Sequence, residues 1–362
     1  MFTGLLSNVT SGQDCVKILP DGAVLADGHG VCGKYYAEEV CKKIEMLHKS
    51  GREDVSEWST EIENEMIASW AVKDPGVTII DDVPINAGKV VRGGTTLTYV
   101  SFNRDRRTFT VANAGDSRGY IFGKGYINLI TADHSPLSRS EYERIESLRT
   151  TNDRIGTLMY NTSVGEMIPI YNNGEKINYF PEYNSMMEAT KAWHQATASL
   201  KLDPDNQDKK TIQTKCLAVY HETLKIYQRS NNYANHSRMM IGTAKGEYGT
   251  YIVSNPKYEK YGETTLSCTC TIGDHHAKKI GVRSNWDMSQ INIDDIPGIP
   301  GERVIFVASD GVHDSYTEED LADLVLHTES DEELLQKFIA NSKNMFSSNK
   351  QHDDISFFRA RF

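Results

Sequence analysis

Basic charge is scarce in this chain. Its 39 lysines and arginines are outnumbered by 50 aspartates and glutamates, and the formal net charge at pH 7 is −11. Such a balance lacks the basic footprint that neutralises a nucleic-acid backbone, so bulk nucleic-acid binding is excluded as the main role. Cysteine is sparse too. The six thiols, Cys15, Cys32, Cys41, Cys216, Cys268 and Cys270, are too few over 362 residues for a disulfide-stapled scaffold, and free thiols in a reducing compartment are expected. Long apolar runs are missing: no window approaches the roughly 18 apolar residues of a membrane span. Met1 to Leu6 has neither the basic start nor the apolar stretch of a secretion signal. The expectation is a cytoplasmic chain with no membrane and no nucleic-acid partner. Asn-x-Ser/Thr triplets begin at Asn8, Asn161 and Asn235, and carry no meaning inside a cell.

What is present is core-forming material, with 39% hydrophobic and 25% charged residues. Tyr36, Val40, Ile44 and Leu47 recur at helical spacing over 33–49, and Ile62, Met66, Ile67 and Trp70 do so over 61–72. From Thr95 to Thr131 the pattern turns to β. Strands are expected over Thr95 to Phe102, Thr108 to Ala112, Arg118 to Phe122 and Tyr126 to Ile130, joined by short polar turns as an antiparallel meander. Arg303 to Ala308 reads as a buried strand, and Ile355 to Phe362 as a closing one. Two helices lie between them, announced by Thr317 three residues before Asp320 and Ser330 three before Glu333. The fold class is therefore α+β, antiparallel sheet with helices segregated outside it.

The stretch from about 151 to 262 is richer in Asn, Tyr, Lys and Met. Met186, Ala189, Trp193, Ala196 and Leu200 form one helical stripe, and Ile212, Cys216, Val219, Leu224 and Tyr227 a second. The breaker-rich link from Leu202 to Asn206 makes the pair a helical hairpin, with the Trp193 stripe as packing or, alternatively, as a partner-binding groove.

Acids recur beside strands. Asp27-Gly28-His29-Gly30 follows the apolar run Ala23 to Ala26, and Gly115-Asp116-Ser117-Arg118, Gly273-Asp274, Ser309-Asp310-Gly311 and Asp353-Asp354 repeat the arrangement. Hard divalent cations take oxygen ligands, and glycine beside an acid lets a backbone carbonyl approach the ion as well. Together the segments suggest a carboxylate-lined divalent-metal centre and hydrolytic phosphate chemistry.

In order along the chain, Val24 to Gly30, Gly93-Gly94-Thr95-Thr96, Ala112 to Arg118, Leu129 to Pro136, Leu266 to Asp274, Ala308 to Asp314 and Asp353 to Ser356 resemble the motifs of the metal-dependent serine/threonine protein phosphatases, type 2C (PPM class). The resemblance covers 1–150 and 263–362. It implies one domain over 1–362, a four-layer α-β-β-α sandwich of two antiparallel sheets flanked by helices, with 151–262 an enlarged insertion in the flap region. It implies that Asp27 bridges two Mn²⁺ or Mg²⁺ ions, with Gly28 giving its carbonyl and Asp310 and Asp353 completing one shell. Asp14 matches an early acidic ligand, Asp116 and Asp314 match acids that join Asp310 around a third, weaker metal, and His29 matches the general acid for the leaving oxygen. The chain departs from the pattern where a basic residue should precede Asp14: Val9-Thr10-Ser11-Gly12 has none, and Lys17 or Arg92 are the candidates to replace it.

The expected activity is hydrolysis of phosphoserine and phosphothreonine in proteins by a metal-activated water. The alternatives are a pseudophosphatase that binds partners through the insertion, and a metal-dependent phosphatase of small phosphorylated metabolites. Phosphorylated proteins are the expected partners, with the insertion binding substrate or a regulator.

Overall fold

The computed structural model describes residues 2–52, 54–161, 167–169, 171–172, 175–176, 181–229, 250–255, 257, 265–345 and 353–362. Asn235 and part of the 151–262 segment lie outside them.

Two five-stranded antiparallel sheets form the centre. The first runs in the order Phe2–Ser7, Ile355–Arg361, Val304–Ala308, Arg118–Gly123, Tyr126–Leu129, and the second Cys15–Leu19, Gly22–Ala26, Leu97–Asn103, Thr108–Ala114, Asp287–Asn292. The period-2 alternation of side chains explains the layering. In Gly22–Ala26 every residue is buried, because the two faces go to different cores. Ala23 and Leu25 meet Val307 and Phe358 of the opposite sheet. Val24 and Ala26 instead join Tyr36, Val40 and Ile44 of the helix Gly33–Lys49 and Ile62 and Met66 of the helix Trp58–Lys73. On the far side, Phe122, Phe306 and Phe357 pack under Leu321 and Val325 of Glu318–His327 and Leu334 and Phe338 of Asp331–Met345. Helix, sheet, sheet, helix is thus the order of layers. Both helix starts read from the sequence are in place: Asp320 N donates to Thr317 Oγ1 at 3.1 Å and Glu333 N to Ser330 Oγ at 3.2 Å.

Three expectations change. The strands from 97 to 129 are no single meander, since the chain leaves the second sheet after Ala114 and enters the first at Arg118. Gly115 makes the crossing with φ of 100°, and a Cβ there would lie 2.6 Å from Thr96 Cγ2. The strand expected from Thr95 is broken at Thr96. Gly94–Thr95 pairs instead with Gly28–His29 and Ile272–Gly273 in a small sheet of its own. The inserted region also carries strands the periodicity did not reveal: Ile155–Asn161, Met167–Pro169 and Thr250–Ser254 form a four-stranded antiparallel sheet with Thr265–Leu266 just beyond it.

The helical hairpin exists, as Pro181–Leu202 and Gln207–Arg229. Trp193 stacks on Tyr220 with centroids 5.3 Å apart and planes 9° from parallel. The second stripe is only partly turned inward, however. Ile212 and Val219 are each 54% exposed, while Cys216 and Leu224 of the same stripe are half-buried, as are Leu217 and Tyr220 beside them. A helix in a two-helix hairpin has one face to bury, so apolar residues such as Ile212, Val219 and Ile226 stay in water.

Candidate active site

Acids from distant parts of the chain meet where the two central sheets and the small sheet end. Asp27 follows Gly22–Ala26, and its backbone is clamped on both sides. Its N–H donates to Thr96 Oγ1 at 3.1 Å, and its carbonyl accepts from Thr96 N at 2.8 Å and Thr95 Oγ1 at 2.9 Å. The break in the expected strand is what supplies this clamp. At Gly28 three backbone segments converge: a Cβ would lie 2.5 Å from Gly33 O and 2.7 Å from Gln13 O, so no side chain fits.

Asp310 opens the short helical turn Asp310–His313 directly after the buried strand Val304–Ala308. Its neighbour Gly311 packs so tightly on the closing segment that a Cβ would lie 2.0 Å from Asp354 O. That closing segment brings Asp353, whose Oδ1 accepts from Asp354 N at 2.8 Å. Asp354 then turns to the loop before Asp14. Its carboxylate accepts from the N–H groups of Thr10 (2.9 Å), Ser11 (3.3 Å), Gly12 (2.6 Å) and Gln13 (3.0 Å), and from Ser11 Oγ (2.5 Å). This nest of donors around one carboxylate ties the start of the chain to its end and sets Asp14 beside Asp27.

Asp27 is the hub electrostatically. Burial, followed by the charges of Asp14, Asp310, Asp353 and Asp116, pushes its carboxyl well above the usual range. Burial and then Asp353, Asp116, Asp314 and Asp14 do the same to Asp310. Asp116 is raised by burial and by Asp133, with Asp314 adding and His313 opposing. Asp14, 5% exposed, is pushed up to about 6 by burial, against the opposing hydrogen bonds to Ser356 and Asp27, with the charges of Asp354 and Asp353 adding. The six acids singled out in the sequence, Asp14, Asp27, Asp116, Asp310, Asp314 and Asp353, therefore share one electrostatic neighbourhood. At Asp27 and Asp310 the repulsion from these neighbouring acids is the largest contribution after burial.

His29 sits beside them. Its Nε2 is 2.6 Å from Oδ2 of Asp274. Burial alone would lower the imidazole pKa, but the charge of Asp274 and the bond to it reverse this and raise it. The Asp274 carboxyl, despite burial, is held down at about 2 by His29, His276 and Lys278. Asp274 belongs to an acid-bearing segment visible in the sequence, yet spacing gave it no partner, because 245 residues separate it from His29. Of the two proposed phosphate anchors, Lys17 is committed to Glu45. Arg92 lies on the segment that hydrogen-bonds Cys32 N, with its charge felt at His276.

Residues 38–163 match the family model for protein phosphatase 2C. Over that stretch the chain is similar to protein phosphatase 2C. A stretch of 121 residues is 31% identical to "Probable protein phosphatase 2C 22" of Arabidopsis thaliana, covering 33% of this chain and 28% of that relative's length. Among solved structures, serine-threonine phosphatase 2C from Toxoplasma gondii superposes over 100% of this chain and 94% of its own, with a TM-score of 0.55 at 12% identity. A C. elegans sex determining protein does so over 99% of this chain and 64% of its own, with a TM-score of 0.52 at 14% identity. At such identities these two bear on the fold, which is the type-2C sandwich.

The acids of this site can be tested against a metal. Among the described residues, no three His, Cys, Asp or Glu side chains close into a finished cation cage. The donor set nevertheless fits a hard cation in kind. It is all oxygen, crowded by like charge, and Asp14 Oδ2 is buried with no hydrogen-bond partner. A buried carboxylate oxygen left unpaired costs free energy that a bound cation would offset. Among the described residues no helix is long and apolar enough to cross a membrane, and all six cysteines are free thiols.

Proposed function

We propose that this chain is a metal-dependent phosphatase of phosphoserine and phosphothreonine in proteins. The observation that carries the reading is the convergence of Asp14, Asp27, Asp116, Asp310, Asp314 and Asp353 from remote segments upon one another, beside a histidine. Asp14, Asp27, Asp310 and Asp353, with the Gly28 carbonyl, are the residues to hold two Mn²⁺ or Mg²⁺ ions, and Asp116, Asp310 and Asp314 a third. Bound there, such ions supply a nucleophilic water near neutral pH and offset charge on the phosphoryl oxygens. His29 delivers a proton to the departing serine or threonine oxygen. The insertion over 151–262 is a flap whose exposed hairpin meets substrate or a regulator.

The test is hydrolysis of p-nitrophenyl phosphate and of phosphopeptides, after EDTA treatment and after Mn²⁺ is restored. Activity should vanish and return. Asp27→Ala or Asp310→Ala should lower it by orders of magnitude, and retention of more than about a tenth of the wild-type rate would contradict the reading. A panel of phosphorylated metabolites run beside the phosphopeptides decides the substrate class.

A further inference from the structure

The segment that carries Asp274 is built with unusual care for a residue that holds none of the proposed metal ligands. Asp274 has φ of 45°, the left-handed region that few residues other than glycine, asparagine and aspartate enter. Gly273 before it has φ of 89°. Three elements hold this bend. Asp274 N donates to Gly93 O at 2.9 Å, Gly273 N donates to Oε2 of the buried Glu63 at 3.0 Å, and Gly273 pairs with Gly94. Gly94 is needed for a further reason: a Cβ there would lie 2.2 Å from Asp274 Oδ2. All of this aims one carboxylate oxygen at His29 Nε2, 2.6 Å away. The imidazole side chain keeps 29% of its surface exposed and the carboxylate 3%, so the ring stands between Asp274 and solvent.

We propose that Asp274 is the positioning residue of His29: it holds the Nε2–H edge of the ring, so that Nδ1 is the edge turned to the leaving oxygen of the substrate. The inference rests on the phosphatase reading above and deepens it. A carboxylate behind an imidazole selects the tautomer and stops ring rotation, the logic by which a buried acid orients a catalytic histidine elsewhere. In the step served, oxygen from water bonds to phosphorus and the bond from phosphorus to the serine or threonine oxygen breaks. The Nδ1 proton passes to that oxygen, and the ring recovers a proton from solvent.

Asp274→Asn is the variant of choice, since asparagine tolerates positive φ while the charge is lost. Rates are compared across substrates of rising leaving-group basicity. p-Nitrophenyl phosphate hardly needs an acid, whereas phenyl phosphate and a phosphoserine peptide do. Asp274→Asn should lose less than about threefold on the first and on the order of 100-fold on the others. His29→Gln should show the same pattern, and the double variant should be no worse than His29→Gln alone. Equal losses on every substrate, or losses that multiply in the double variant, overturn the proposal. Nitrogen-15 shifts of neutral His29 in the wild-type holoprotein give a readout independent of turnover and of any variant's folding. An Nε2–H tautomer is expected, and an Nδ1–H tautomer overturns the assignment. A wild type without metal-dependent hydrolysis sinks the phosphatase reading, and the tautomer then decides the pairing by itself.

Discussion

Removing the Asp354 carboxylate should loosen the start of the chain from its end and carry Asp14 with it. Five donors converge on this group, four of them backbone N–H groups of 10–13. Hydrogen bonds to a charged acceptor contribute about 1.5–3 kcal/mol each when isolated. Here the loop residues Val9 to Ser11 are exposed, so water re-solvates part of what is lost, and shared partners make the losses less than additive. Asp354→Ala should therefore cost about 3–5 kcal/mol. Asp354→Asn is the more discriminating change. Its remaining oxygen can serve Thr10 and Ser11, but its amide then faces the N–H groups of Gly12 and Gln13, donor against donor. A loss of about 2–3 kcal/mol is expected, although the side chain is nearly isosteric. Urea unfolding reads both values as a lower midpoint at unchanged slope. Manganese titrations of the same proteins should show weaker binding, because Asp14 is displaced while Asp27 and Asp310 are untouched. Both variants within about 0.5 kcal/mol of wild type, the range of ordinary surface substitutions, would refute the claim that this nest holds the site together.

Glu63, buried on the helix Trp58–Lys73, has its pKa lowered: burial opposes this, but Lys278 and His275 outweigh it. A folded value below the unfolded one of about 4.3 means its stabilisation is complete above that pH and lost as pH falls through the folded value. Glu63→Gln should thus flatten the fall in unfolding midpoint between pH 6 and pH 3, and parallel curves for the two proteins would disprove the linkage. Gly311→Ala places a methyl 2.0 Å from Asp354 O, so a loss of more than about 3 kcal/mol in the thermal or urea midpoint is expected, and a neutral result would mean this contact can relax. Replacing 181–229 by a short Gly-Ser link should leave folding and p-nitrophenyl phosphate hydrolysis intact while altering phosphopeptide preference. Loss of both would show that the hairpin supports the core.

The residue pattern alone determined a good deal here. Apolar runs and short polar turns marked the central strands, the 3.6-residue recurrence marked the helices over 33–49 and the hairpin, and Thr317 and Ser330 marked two helix starts. These are local signals, carried by neighbours in sequence, and local geometry obeys them. The acid-bearing turns were legible for the same reason, since each couples an apolar strand to an Asp and a Gly. Tertiary structure decided the rest. Which sheet a strand joins depends on a crossing at Gly115 that no periodicity encodes. Which face of Gln207–Arg229 is buried depends on Trp193 across the hairpin. The partnership of His29 with Asp274, and of Asp354 with the loop at 10–13, joins residues hundreds of positions apart. Such pairs come from packing and charge in three dimensions, where separation along the chain leaves no trace.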